Sequence, residues 1–312
     1  MRRLRVDSPS IRSVLLLLAA GLAACGGGGG PSGPGPGPSP ANLGPTPVPL
    51  SPINDAQVTT DTPSFTVQNA QGFDVGHGQY LFEVVTRGTG TVVASRTVPA
   101  GTSTTVAAFT AGVPRGMDLQ WRATAQGASG QVASDFAQFR MPAVACQPLT
   151  DGWAKSVVSV FLPFCAHFPN IYNDPSDVLG PYNAGGFGPN NYFGFLSLGD
   201  TGHVVVDMEA CATDAAGNDL RVFQAVGSEP VTVYAGGSPT GPWILVEADK
   251  RCGDRIPGNQ TTRFCDFDLA LAEVREARYF KVEDGEHFPC NEAGTPSEGA
   301  DIDAVRILRA GP

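Results

Sequence analysis

Tyr80-Leu81-Phe82-Glu83-Val84-Val85-Thr86 and Leu119-Gln120-Trp121-Arg122-Ala123-Thr124 are the stretches whose reading decides the fold. Period-two alternation runs through Leu81, Glu83 and Val85 and through Leu119, Trp121 and Ala123, so each predicts a strand with one buried face. Runs of the same character lie at Ser64 to Asn69, Val92 to Val98, Thr104 to Phe109 and Gln131 to Met141, separated by Gly, Pro, Asn and Asp. No amphipathic helical pattern of useful length interrupts them. Short strands at even spacing over residues 44–142 predict a small antiparallel sandwich.

The residues Pro63-Ser64-Phe65-Thr66-Val67, Tyr80 to Val84, Leu119 to Ala123 and Phe136 to Arg140 resemble the strand pattern of bacterial fibronectin type III-like and immunoglobulin-like modules. Within that pattern Trp121 is expected in the core.

Upstream, residues 1–24 carry Arg2, Arg3, Arg5 and Arg12 ahead of an apolar run from Val14 to Ala24, too short to span a bilayer and shaped as a signal peptide. Leu22-Ala23-Ala24-Cys25 resembles a bacterial lipobox, which implies lipidation of Cys25 and an exported chain held at a membrane, outer membrane or cell surface, by its lipid. From Gly26 to Pro49 there are 9 Gly and 8 Pro in 24 residues, so 25–43 is expected to be a disordered tether. The full chain has a net charge of -10, and removing the +3 leader leaves -13. Such an acidic surface argues against a nucleic-acid partner.

Residues 143–312 differ from the first sandwich in charge and in cysteine. They hold 23 acidic against 11 basic side chains and Cys146, Cys165, Cys211, Cys252, Cys265 and Cys290. An even number in an exported chain, with no zinc-type spacing, predicts disulfides. Cys252 and Cys265 flank a polar loop and are the favoured pair. Strand-like runs continue at Val157 to Leu162, Tyr192 to Leu198, His203 to Cys211, Leu220 to Val226, Val231 to Ala235, Trp243 to Glu247, Ala277 to Val282 and Ile302 to Leu308. Leu269 to Arg278 has room for a helical turn, without convincing caps. The whole chain is thus expected to be all-β, two β-sandwiches in tandem after the Gly/Pro linker, with 143–312 a jelly roll and Met141 to Thr150 a hinge.

The series Asn173-Asp174-Pro175, Leu196 to Gly199, Gly217-Asn218-Asp219-Leu220-Arg221-Val222-Phe223, Val231 to Tyr234, Arg278 to Asp284 and Gly299 to Val305 resembles the galactose-binding-like domains of bacterial cell-surface proteins, similar to discoidin and carbohydrate-binding modules. The resemblance implies glycan binding at loops on one sandwich end and a structural calcium ion. The pattern departs where Gln224 follows Phe223.

Calcium needs six to eight oxygen ligands, and Asp174, Asp177, Asp219, Asp301 and Asp303 sit in loop-like contexts as candidate ligands. The loop from Tyr182 to Phe193 combines aromatic faces with amides, making Tyr182, Phe187, Asn190, Asn191 and Tyr192 the candidate glycan contacts. Trp243 is expected in the core. No metalloprotease, nucleophile-elbow, P-loop or dinucleotide motif occurs. Asp266 and Asp268, two apart on one strand, do not flank a substrate as glycosidase acids must. The expected function is therefore non-catalytic binding of a glycan or other extracellular ligand, with adhesion without a sugar site as the alternative and a secreted hydrolase behind it.

Overall fold

The computed structural model describes residues 46–72, 78–128, 130–163, 172–183, 194–225, 228–257, 262–285 and 299–309. The leader, Cys25 and the tether to residue 45 lie outside them. Among the described residues there is no α-helix, and no helix is long and apolar enough to cross a membrane. The chain is all-β.

The first half contributes β1 (Val48–Ser51), β2 (Ala56–Gln57), β3 (Ser64–Gln68), β4 (Gln79–Thr86), β5 (Val92–Pro99), β6 (Thr104–Ala108), β7 (Leu119–Gly127), β8 (Gly130–Ala133) and β9 (Ala137–Arg140). One sheet runs β1-β3-β6; the other runs β2-β9-β7-β4-β5, with β8 paired to β7. The predicted strand at Gln131 to Met141 is two strands, because residues 134–136 leave the ladder where Ser134 Oγ accepts from Ala123 N. In β7 the expected face, Leu119, Trp121 and Ala123, is buried. In β4 the buried face is Tyr80, Phe82 and Val84 rather than Leu81 and Glu83: two aromatics remove more apolar area from water than a leucine beside a carboxylate. Phe65 sits at the centre, 5.1 Å from the rings of Phe109, Trp121 and Phe139. Trp121 is fully buried, and its Nε1 donates to Pro52 O at 2.7 Å, which satisfies the one polar atom of the ring.

The second half contributes β10 (Ser156–Phe161), β11 (Leu196–Ser197), β12 (His203–Thr213), β13 (Leu220–Gln224), β14 (Pro230–Gly236), β15 (Ile244–Arg251), β16 (Asp254–Arg255), β17 (Arg263–Phe267), β18 (Glu276–Asp284) and β19 (Asp301–Ile307). They form two sheets, β10-β12-β18-β14-β15 and β11-β19-β13-β17-β16. Leu220, Val222, Val233, Phe280, Val282, Ile302 and Val305 fill the space between them. β17 was not expected from the sequence, and a 3₁₀ turn at Leu269–Ala272 does have a cap: the Asp268 side chain accepts from Ala270 N.

Cys252 pairs with Cys265, as the flanked loop suggested, and Cys146 pairs with Cys211. Cys165 and Cys290 lie outside the described residues.

No sheet mixes strands of the two halves, yet both belong to one compact unit. Met117 and Val274 form an antiparallel bridge, and Gly116 O accepts from Arg275 N at 2.7 Å. Gly116 has φ +72°, and a Cβ there would stand 2.1 Å from Glu276 O, so the junction requires glycine. Glu273 accepts from Gly88 N at 3.1 Å and Thr89 N at 2.7 Å, and Asp118 pairs with Arg275. The segment expected to be a hinge is fastened on both sides: Ala143 O accepts from Arg115, Val144 N donates to Glu276, Ala145 O accepts from Arg278, and Cys146 is bonded to β12.

Candidate metal centre

At one end of the second sandwich the strands stop in acidic residues. β19 begins with Asp301, β18 ends with Asp284, and β13 ends with Gln224, whose following loop carries Glu229. The backbone ties these ends together. Ala225 N donates to Asp301 O at 2.9 Å, Ala300 N donates to Asp284 Oδ1 at 3.0 Å, and Asp284 N donates to Gly202 O at 3.0 Å. Gln224 Nε2 donates to Glu229 O at 2.9 Å, fixing the amide with its oxygen turned the other way.

The polar atoms at this end are acceptors in excess. Among the described residues Gln224 Oε1, Glu229 Oε2 and Asp301 Oδ1 are buried and accept no hydrogen bond. Gln224 is fully buried and Asp301 is 6% exposed. Burial, with Glu229 and Asp284 nearby, pushes the Asp301 carboxyl up to about 7, against a hydrogen bond from Ser197 that favours its ionised form. Unpaired acceptors in a dry site cost about 1–3 kcal/mol each, more when charged. Carboxylate and amide oxygens offer the hard donor set that a divalent cation takes, and a cation there would remove the penalty. Gln224, Glu229, Asp284 and Asp301 are the residues that fit such an ion.

Of the five acidic residues singled out in the sequence, only Asp301 belongs to this group. Asp303 is buried but accepts from Asn183 N at 2.9 Å; a register shift in β19 between Ala304 and Ile302 separates its surroundings from those of Asp301. Asp174 is exposed and caps the 3₁₀ turn Pro175–Val178, and hydrogen bonds from Ser176 hold its carboxyl low. Asp177, half-buried in the same turn, is pushed up by burial and by Asp174. Asp219 has carboxylate oxygens within 4.8 Å of those of Asp214 and Asp268, but both of its own are engaged, by Ala215 N at 3.2 Å and Leu269 N at 3.0 Å. That trio closes a turn.

Tyr182 packs on the outer side of the β13 sheet, its ring 5.0 Å from Phe223 and 6.3 Å from Trp153. Phe187, Asn190, Asn191 and Tyr192 lie outside the described residues. Asp266 is held by a two-pronged pair with Arg221 at 2.6 and 2.8 Å, and Asp268 by its capping bond.

Gln224, Glu229 and Asp284 were missed because they are dispersed over 61 positions of sequence, Gln224 and Asp284 at the ends of two strands and Glu229 in the loop before a third. The departure at Gln224 was the available signal.

No family model and no curated protein matches the chain. Among solved structures, the secreted serine protease VesC from Vibrio cholerae is similar at TM-score 0.30 and 11% identity, over 85% of this chain and 51% of that one. The chain spans about half the length of that protein.

Proposed function

We propose that this chain is an exported, lipid-anchored, non-catalytic binding module of the cell surface whose second sandwich takes a glycan, with a calcium ion holding the loops at one end. The observation that carries the reading is the set of buried, unpaired oxygens of Gln224, Glu229 and Asp301 beside Asp284. Buried, hard oxygen donors of this kind suit a structural cation. The engagement of Asp266 by Arg221 and of Asp268 by a backbone cap supports binding over hydrolysis. The leader with Cys25 and the tether support display away from a membrane.

The test is isothermal titration of the chelator-treated mature chain with calcium, followed by a glycan array with and without the ion. One-site calcium binding lost in Asp301→Asn is expected; heat of dilution alone would remove the cation from the reading.

A protein ligand without a sugar site is the second reading, favoured by one feature. β10 is a sheet edge paired only with β12 among the described residues, and it exposes Val158, Val160 and Phe161.

A further inference from the structure

Between the two sandwiches lies a cleft of about 400 Å³ lined by both apolar and polar side chains. That volume falls within the range of small-ligand pockets, about 300–1,000 Å³, and such pockets favour domain interfaces. The apolar lining is Trp243, Ile244, Leu245 and Leu271 from the second sandwich, with Val92 and Met117 from the first. Leu245 is 48% exposed, Leu271 67% and Val92 49%. Polar groups are set among them: Thr89 and Thr91 at the rim and Thr86 beneath them on the first sandwich, with Glu273 of the second reaching across to that turn. The three hydroxyls form a row, with Thr86 Oγ1 to Thr89 Oγ1 at 3.0 Å and Thr89 Oγ1 to Thr91 Oγ1 at 2.7 Å.

Trp243 is the centre of this cleft. The sequence suggested a core position, but the side chain is only half-buried. Its indole lies against two glycines: a Cβ at Gly236 would stand 2.9 Å from its Cζ3, and one at Gly241 would stand 2.9 Å from its Cδ1. Gly241 also has φ +82°, so backbone conformation and space both exclude a side chain there. Two positions without side chains thus seat a tryptophan rigidly while part of its ring faces the cleft.

We infer that this cleft is a saccharide-binding site, in which a pyranose ring stacks its C–H face on Trp243 and directs hydroxyls to Thr89, Thr91 and Glu273. The inference rests on the proposed glycan reading and moves the contact from the Tyr182–Tyr192 loop to the inter-sandwich cleft. An amphipathic ring matches a cleft that sets hydroxyls among apolar side chains. The hydroxyls of Thr89 and Thr91 bond one another and that of Thr89 accepts from Thr91 N, which leaves lone pairs at the rim for further hydroxyl donors. The cleft needs no closure to form, because the Glu273 clamp and the Met117–Val274 bridge already fix both walls.

The experiment is an array of neutral and acidic oligosaccharides probed with the full mature chain, then tryptophan fluorescence titration with the best oligosaccharide. Trp121 is fully buried and Trp153 packs against Tyr182, so an emission change that is lost in Trp243→Phe reports the cleft and one that persists reports the Tyr182 side. Trp243→Ala is expected to weaken binding at least about tenfold, with Trp243→Phe intermediate and the melting temperature of the phenylalanine variant near that of the parent. Leu271→Asp, at an exposed rim position, is the second variant should the alanine fail to fold, and is also expected to weaken binding. Sugar binding that survives Trp243→Phe and Leu271→Asp but disappears in Tyr182→Ala overturns the cleft and leaves the glycan reading standing. Binding of no oligosaccharide, or of apolar peptides instead, overturns both.

Discussion

The two sandwiches are built from similar strands and stabilised by different means. The first is an aromatic core: Phe65, Tyr80, Phe82, Trp121 and Phe139 are each at most 1% exposed, and its buried polar residues are the hydroxyl-bearing Thr86, Thr105 and Ser134. The second buries four aspartates, Asp219, Asp284, Asp301 and Asp303, together with Gln224. Among the described residues it also holds two disulfides, Cys146–Cys211 and Cys252–Cys265. A core of rings needs only exclusion of water, whereas a core with carboxylates needs every acceptor matched. The contrast predicts that pH and divalent ions act on the second sandwich more than on the first.

The largest break in that comparison is expected from Trp121→Ala. Loss of a fully buried indole and of its bond to Pro52 destabilises the first sandwich toward the upper end of about 3–5 kcal/mol. Chemical denaturation of the variant should show it, with the second sandwich following only as far as the interface couples them. Reductant is expected to act on the other half alone. The Cys146–Cys211 bond closes a loop with a sequence separation of 65, so its loss costs about 4 kcal/mol in the chain-entropy account. A calorimetric scan with reductant that left the second sandwich unmoved would remove this difference.

Calcium comes next. At one hundred times its dissociation constant the ion adds about 2.7 kcal/mol to the folded state, read as a rise in melting temperature that Asp301→Asn abolishes. Protons sharpen the same test. Burial pushes the folded-state carboxyl of Asp301 from the ordinary carboxylate value of 3.8 up to about 7, so the metal-free fold binds the extra proton. Its stabilisation is therefore full below the unfolded value and lost as pH rises through about 7, by up to about 1.4 kcal/mol per pH unit. Denaturation of the chelated chain at pH 5 and pH 8 measures it, and Asp301→Asn should flatten the profile. The smallest effect is expected at the interface. Glu273→Ala removes two bonds from a largely exposed carboxylate and costs no more than about 1 kcal/mol, seen as a less cooperative joint unfolding of the two halves.

Much of this contrast could be read in advance. Alternation and β-branched runs located most strands, the even cysteine count predicted disulfides, and the polar loop flanked by Cys252 and Cys265 pointed to their bond. β17 escaped because its sequence Arg-Phe-Cys-Asp-Phe puts Phe264 and Asp266 on an outward side, where Arg221 pairs with Asp266 and stacks 3.7 Å over Phe264. A strand whose outer face is satisfied by a neighbour carries no alternation of its own. The residues of the candidate metal centre escaped for a related reason: acidic residues that close turns, such as Asp219 and Asp174, look the same in sequence as those left without donors. Only the folded chain shows which carboxylates have backbone N–H partners, as Asp174 and Asp219 do, and which lack them. Trp243 was misplaced because an apolar run after proline has the pattern of a core strand, and the two glycines that seat it are 2 and 7 positions away.

The disulfide from Cys146 to Cys211 gives the molecule a defined path for mechanical load. Tension arriving along β9 and the following segment meets a covalent crossing into β12, a strand flanked by β10 and β18 in the middle of its sheet. The chain between the two cysteines, with β10 and β11, is closed off from stretching, and its contour cannot lengthen while the bond stands. A pull along the chain would thus be borne by one interior ladder rather than peeled through the sheet strand by strand.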